Sequence, residues 1–358
     1  MKKWMVCWGL LILLLTVSAR AAEVPRELRE ALPEEAGELL KDTEMSGTDA
    51  LSQGVSGILN SLSGQMQGIA RERLRGAVLV LLVALLCGVI DGAGQGVGER
   101  LQLTPLVGAL SVTMVSAGSL DTLIRLGADT IDSMSVFSKA LLPTLAAATA
   151  AAGSLSTATV QQVTTVFFVD LLLELIHGLL LPLVYLYIGV LTAGAMLSNG
   201  QLNSIGEALK KGITWILSAA LIVFTLYLSI VRVVSGSVDS AAVKVTKATI
   251  SGAVPVVGSI LSEASETVLA GAGMLKNTVG IFGMLAVLAI CACPFLQLGL
   301  QYLLYKLSAF LAGTLGPPGL CRLIDGLAGA FGLVLGMTGA CGVLLLISIL
   351  SSIAAVIP

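Results

Sequence analysis

Charge is scarce in this sequence. Of its 358 residues only 12% are Asp, Glu, Lys or Arg, while 56% are hydrophobic. Soluble domains carry about 25% charged and about 45–50% apolar residues, so half the usual charge excludes an ordinary water-soluble enzyme. Histidine is scarcer still. The one histidine, His177, weighs against histidine-based metal or triad chemistry. Aromatic residues make up 4%, the net charge is −2, and no run of Lys or Arg exceeds two. Nucleic-acid binding and intrinsic disorder are therefore both disfavoured. What is abundant is Leu, Val, Ala and 40 glycines, a composition suited to helices packed backbone to backbone in lipid.

Residues 1–21 read as a secretory signal. Lys2 and Lys3 supply the basic start, residues 4–17 an apolar core, and Ala19-Arg20-Ala21 a small-residue cleavage site. An uncleaved anchor is the alternative, and both place the next segment outside the cytoplasm. Residues 22–75 form an acidic extracytoplasmic segment. Between 22 and 70 lie nine acids and three bases. Val55, Ile58, Leu59, Leu62, Met66 and Ile69 recur at helical steps and predict an amphipathic helix. It serves either as a solvated spacer or as a docking helix for a partner.

Residues 76–358 read as a multi-pass membrane domain. Apolar stretches at 77–90, 103–120, 163–197, 213–234, 279–310 and 328–356 predict an all-α polytopic protein with six to eight crossings. The range reflects two long stretches that contain a proline: 163–197 near Gly178 and Pro182, and 279–310 at Pro294. Each is one kinked helix or two short ones. Pro143 and Pro182 are separated by the same interval as Pro255 and Pro294, and the order of element types around the two pairs matches. This predicts an internal duplication with units at 103–212 and 213–327 and a final helix at 328–356. Pro143, Pro182, Pro255 and Pro294 are the expected helix-break positions. Repeats with interrupted helices are common among transporters. Arg71, Arg73 and Arg75 fall outside just before the first crossing, against the positive-inside tendency, whereas Lys210 and Lys211 fit a cytoplasmic loop.

Asp170, Glu174 and His177 are spaced at i, i+4 and i+7 inside an apolar stretch. On a helix they share one face, and ionisable groups at membrane depth suggest function. They line a pathway or a proton-coupled site, or they pair between helices. In either case the face is expected to point into the protein. No catalytic, cofactor-binding or metal-ligating set emerges. Cys291-Ala-Cys293 has no second pair nearby and reads as packing.

The stretch from Lys244 through Val-Thr-Lys-Ala-Thr-Ile-Ser-Gly-Ala-Val to Pro255 is distinctive, as is Leu275-Lys-Asn-Thr-Val-Gly-Ile-Phe-Gly283. With the signal sequence, acidic segment and multi-pass body, the chain resembles the stage III sporulation protein AE family of endospore-forming bacteria. The resemblance covers essentially the whole mature chain and is most specific over 244–327. It implies a non-enzymatic subunit, without cofactors, of a channel complex between mother cell and forespore. That complex is a feeding-tube-like or secretion-like assembly supporting late forespore gene expression. The expected location is the mother-cell membrane surrounding the forespore. Expected partners are the other membrane proteins of the complex and the bilayer, with room for a homo-oligomer and no nucleic acid. The family brings no catalytic residues. The alternative is a self-contained secondary transporter built on the repeat.

Overall fold

The computed structural model describes residues 24–40, 50–93, 103–153, 155–197, 200–253, 258–314 and 316–354. The signal segment 1–21 and Pro255 lie outside the described residues. No strand occurs among those described, and the reason is chemical. A backbone group left unpaired in lipid costs several kcal/mol, and continuous apolar runs can pair theirs only as helix.

Two short helices open the chain: α1 (Arg26–Glu30) and α2 (Glu34–Leu39), each entered through a proline at its N-cap. They are not free in solvent. Val24, Leu28, Ala36 and Leu40 are buried, with α1 against α4 and α2 against α8. The long helices follow as α3 (Ala50–Ala93), α4 (Leu103–Ala151), α5 (Leu155–Leu175), α6 (Leu181–Leu197), α7 (Gly200–Ala253), α8 (Gly258–Ala312) and α9 (Pro318–Ala354). A π turn, Ile176–Leu180, joins α5 to α6 without interrupting the helical run. Six helical spans are long and apolar enough to cross a membrane, α5 and α6 counting as one.

The amphipathic segment and the first apolar stretch join in the single helix α3. At about 1.5 Å per residue, helices of 44 to 55 residues reach well beyond a hydrocarbon core about 30 Å thick. The apolar stretches therefore mark only the membrane-embedded part of each rod.

Pro143 and Pro294 correct the expectation of breaks, because both lie inside uninterrupted helices, α4 and α8. A proline frees one carbonyl and weakens the next bond of the ladder. The carbonyl freed by Pro143 is that of Lys139; at the next rung the Thr144 hydroxyl adds a bond to the Ala140 carbonyl at 3.1 Å. Pro182 is the second residue of α6, immediately after the π turn. Its disturbance is taken up by a widened turn, in which the Leu181 N–H reaches back five residues to the Ile176 carbonyl.

The central helix is α9, which packs against α3, α4, α5, α6, α7 and α8. Its glycines allow this. A side-chain carbon at Gly326 would collide with Leu191 of α6, one at Gly332 would approach Tyr302 of α8, and one at Gly339 would approach Phe295. Small residues at such contacts bring helix axes together where lipid supplies no hydrophobic drive. Polar fastenings complete the core. Tyr305 donates to Ser116 Oγ at 3.0 Å and stacks edge-on against Phe331, and Gln161 Nε2 donates to the Ser348 carbonyl at 2.8 Å. The outer surface is apolar: Met114, Trp215, Phe310, Val89 and Ile230 stand exposed, as a lipid-facing belt requires.

Candidate functional site

Helix α4 carries a stripe of charge. Asp121, Arg125, Asp129, Asp132 and Lys139 follow one another at steps of three, four or seven residues, which keeps them on one face. The run from Asp121 to Lys139 is about 27 Å long at the helical rise, close to the thickness of a hydrocarbon core of about 30 Å. The α4–α5 turn then reverses the chain, so α5 and α6 run back along α4. Their own polar stripe, Asp170, Glu174, His177 and Tyr185, lies against it in the opposite sense.

Three contacts tie the two stripes together. Lys139 Nζ is 3.5 Å from Asp170 Oδ1. His177 Nε2 is 3.1 Å from Asp132 Oδ1. The Tyr185 hydroxyl donates to Asp121 Oδ1 at 3.5 Å, and the same carboxylate accepts from Arg125 Nε at 2.9 Å. Glu174 is exposed and makes no ion pair among the described residues. The seam holds five carboxylates against Arg125, Lys139 and His177, so it is acidic.

The sequence-predicted face of Asp170, Glu174 and His177 thus turns towards another helix without being enclosed by the protein. Asp170 is 52% exposed and His177 40% exposed. The seam runs along the flank of the bundle. His177 sits in the π turn, a feature that recurs at functional positions in helices. The widened turn at that point coincides with the rung to Asp132.

Sequence reasoning singled out the α5 half of the seam and missed the α4 half. The signal was present, since the α4 charges recur at helical spacing, but nothing local reveals that α4 and α5 bring their stripes together. Among the described residues no three His, Cys, Asp or Glu side chains converge as a metal site. The Cys291 and Cys293 thiols make separate contacts. Cys291 Sγ lies 3.3 Å from Met134 Sδ, and Cys293 Sγ accepts from Gln297 Nε2 at 3.4 Å.

The family described as Stage III sporulation protein AE matches residues 37–356. The chain belongs to the stage III sporulation protein AE family. A curated relative, Stage III sporulation protein AE of Bacillus subtilis (strain 168), is 27% identical over 207 residues, covering 57% of this chain. The chain spans about half the length of that relative, 51% of it. No solved structure matches. Membership in the stage III sporulation protein AE family gives the chain a role in sporulation, and its six apolar helices make it a membrane protein. The bundle carries a charged flank at the α4–α5 seam.

Proposed function

We propose that the chain is a structural, non-enzymatic subunit of a channel complex joining mother cell and forespore, seated in the mother-cell membrane. The seam is the face it turns to the aqueous path or to a neighbouring subunit. The observation carrying this reading is the seam itself. A charge at the bilayer centre costs on the order of 2.5–3.5 kcal/mol, so a flank that includes Asp170 and Glu174 is not suited to face acyl chains. Water or protein must cover it. Other membrane proteins of the complex, or further copies of the chain, are the partners this reading calls for. With the acidic segment outside the cytoplasm and each long helix crossing once, the α6–α7 and α8–α9 turns face the mother-cell cytoplasm, and Lys210, Lys211 and Arg322 lie at that end. The same count makes the two proposed repeat units parallel.

The alternative of a self-contained transporter drew on the repeat and on proline-interrupted helices. Pro294 lies in an unbroken helix, which weakens the second of these grounds.

The test is a mild-detergent pull-down of the tagged protein from sporulating cells, with mass spectrometry. Other membrane proteins are expected in stoichiometric amounts, and isolation of the chain alone would overturn the reading. The double variant Asp170→Asn/Glu174→Gln is expected to keep protein level and co-purification while stopping late forespore gene expression. Normal sporulation in that variant would remove the seam from the function.

A further inference from the structure

A second charged cluster lies where α6, α7 and α9 meet, at the end of the bundle opposite the α4–α5 turn. There the helices leave a cavity of about 560 Å³ whose lining includes Glu207, Lys210, Lys211, Trp215, Arg322 and Asp325. The pairing of these charges decides what it can hold. Asp325 Oδ1 accepts from Lys306 Nζ at 2.5 Å. Glu207 is 3.8 Å from Lys211, one helical turn on. Lys210 and Arg322 then have no carboxylate within ion-pair distance among the described residues. Arg322 Nε donates to the Pro318 carbonyl at 3.3 Å, which leaves the terminal nitrogens of its fork for something else. Lys210 is half-buried, and its ammonium is tucked against α9 at Gly329, where a side-chain carbon would come within 3.2 Å of Nζ.

Two unmatched cations, one a planar fork and the other a point charge, form a recognition pair for phosphate. The depth of the cleft adds the second requirement. Beyond Asp325, α9 carries no charged residue to its end, so this residue marks one edge of the apolar layer. Trp215 is 72% exposed beside the cavity, as Trp is at the boundary between headgroups and hydrocarbon. The lining carries three cations, Lys210, Lys211 and Arg322, against the two carboxylates Glu207 and Asp325.

We propose that this cleft binds an anionic phospholipid, its phosphate held between Lys210 and Arg322 and its chains leaving over Trp215. Basic pockets between membrane helices bind acidic headgroups in this way. The proposal does not depend on the channel reading.

The test uses the full chain purified in detergent and examined by native mass spectrometry after addition of phosphatidylglycerol or phosphatidylcholine. Retention of phosphatidylglycerol is expected, with little phosphatidylcholine. In Lys210→Gln/Arg322→Gln the retained phosphatidylglycerol should fall about tenfold or more, since loss of even one charge-assisted contact is worth about that much, while the control Arg71→Gln, midway along α3 and outside this cleft, leaves it unchanged. Equal retention of both lipids, or unchanged retention in the double variant, overturns the proposal. Displacement of the lipid by millimolar inorganic phosphate would identify a site for soluble phosphates and overturn the lipid assignment. A photoactivatable phosphatidylglycerol tests the unmutated protein. Crosslinks are expected around Trp215, and their exclusive appearance elsewhere overturns the site.

Discussion

Glycine does two different jobs in this chain, and the neighbours of each position separate them. Gly127 faces α9 so closely that a side-chain carbon there would collide with Val334 and reach Thr338. Gly178, within the π turn, has open space around it. Gly127→Ala is therefore expected to lower stability by about 1–3 kcal/mol, the usual cost of overpacking a filled contact, seen as a lower Tm in detergent. Gly178→Ala should hold or raise Tm, because alanine loses less backbone entropy than glycine in a helix. An unchanged Tm for Gly127→Ala would show that the α4–α9 contact is looser than this. Tyr305→Phe belongs to the same scale. It removes the donor to the fully buried Ser116 and should cost about 1 kcal/mol, again read by Tm.

At the scale of elements, the charged seam behaves as a surface rather than a clamp. Its rungs are long or solvent-exposed, and exposed ion pairs contribute about 0–1 kcal/mol. Asp132→Asn and Lys139→Gln are thus expected to change unfolding free energy by no more than about 1 kcal/mol each, measured by denaturation in detergent. A loss of several kcal/mol would make the seam structural and undercut its functional reading. Much of this level was legible in the sequence. The apolar stretches placed every membrane span, because only helix satisfies a backbone in lipid. Helix ends were not legible. Asp129 and Lys139 depress hydropathy without breaking the helix, so α4 continues beyond residue 120, where the apolar signal stops. Proline misled for a related reason. One freed carbonyl in a helix supported by neighbours is a small loss beside opening a loop, and Pro143 and Pro294 are carried within helices. The face of Asp170 was visible from its spacing. Its partners Asp132 and Lys139 required knowing which helix lies alongside.

For the whole molecule, the π turn decides the topology. If the α5–α6 run is one continuous crossing, the α4–α5 turn and the α6–α7 turn lie on opposite sides of the membrane, and the α8–α9 turn joins the latter. If Gly178 and Pro182 instead open a re-entrant hairpin, all the later segments change sides. Exposed positions near each turn discriminate: Ala151 at the end of α4, Gln201 at the start of α7, and Thr314 after α8. Each is to be replaced singly by cysteine in a background where the native cysteines are alanine. The protein is made in vegetative cells and treated with a membrane-impermeant maleimide. With the acidic segment outside the cytoplasm, Ala151→Cys is expected to label in intact cells, while Gln201→Cys and Thr314→Cys label only after permeabilisation. The reverse pattern would keep six crossings and invert the proposed orientation, placing the cationic cleft of Lys210 and Arg322 on the outer face. Labelling of Ala151→Cys and Gln201→Cys from the same side would overturn the continuous crossing itself. The seam could then no longer run unbroken along α4, because the contacts at Lys139, Asp132 and Asp121 require α5 and α6 to follow α4 as a single antiparallel rod.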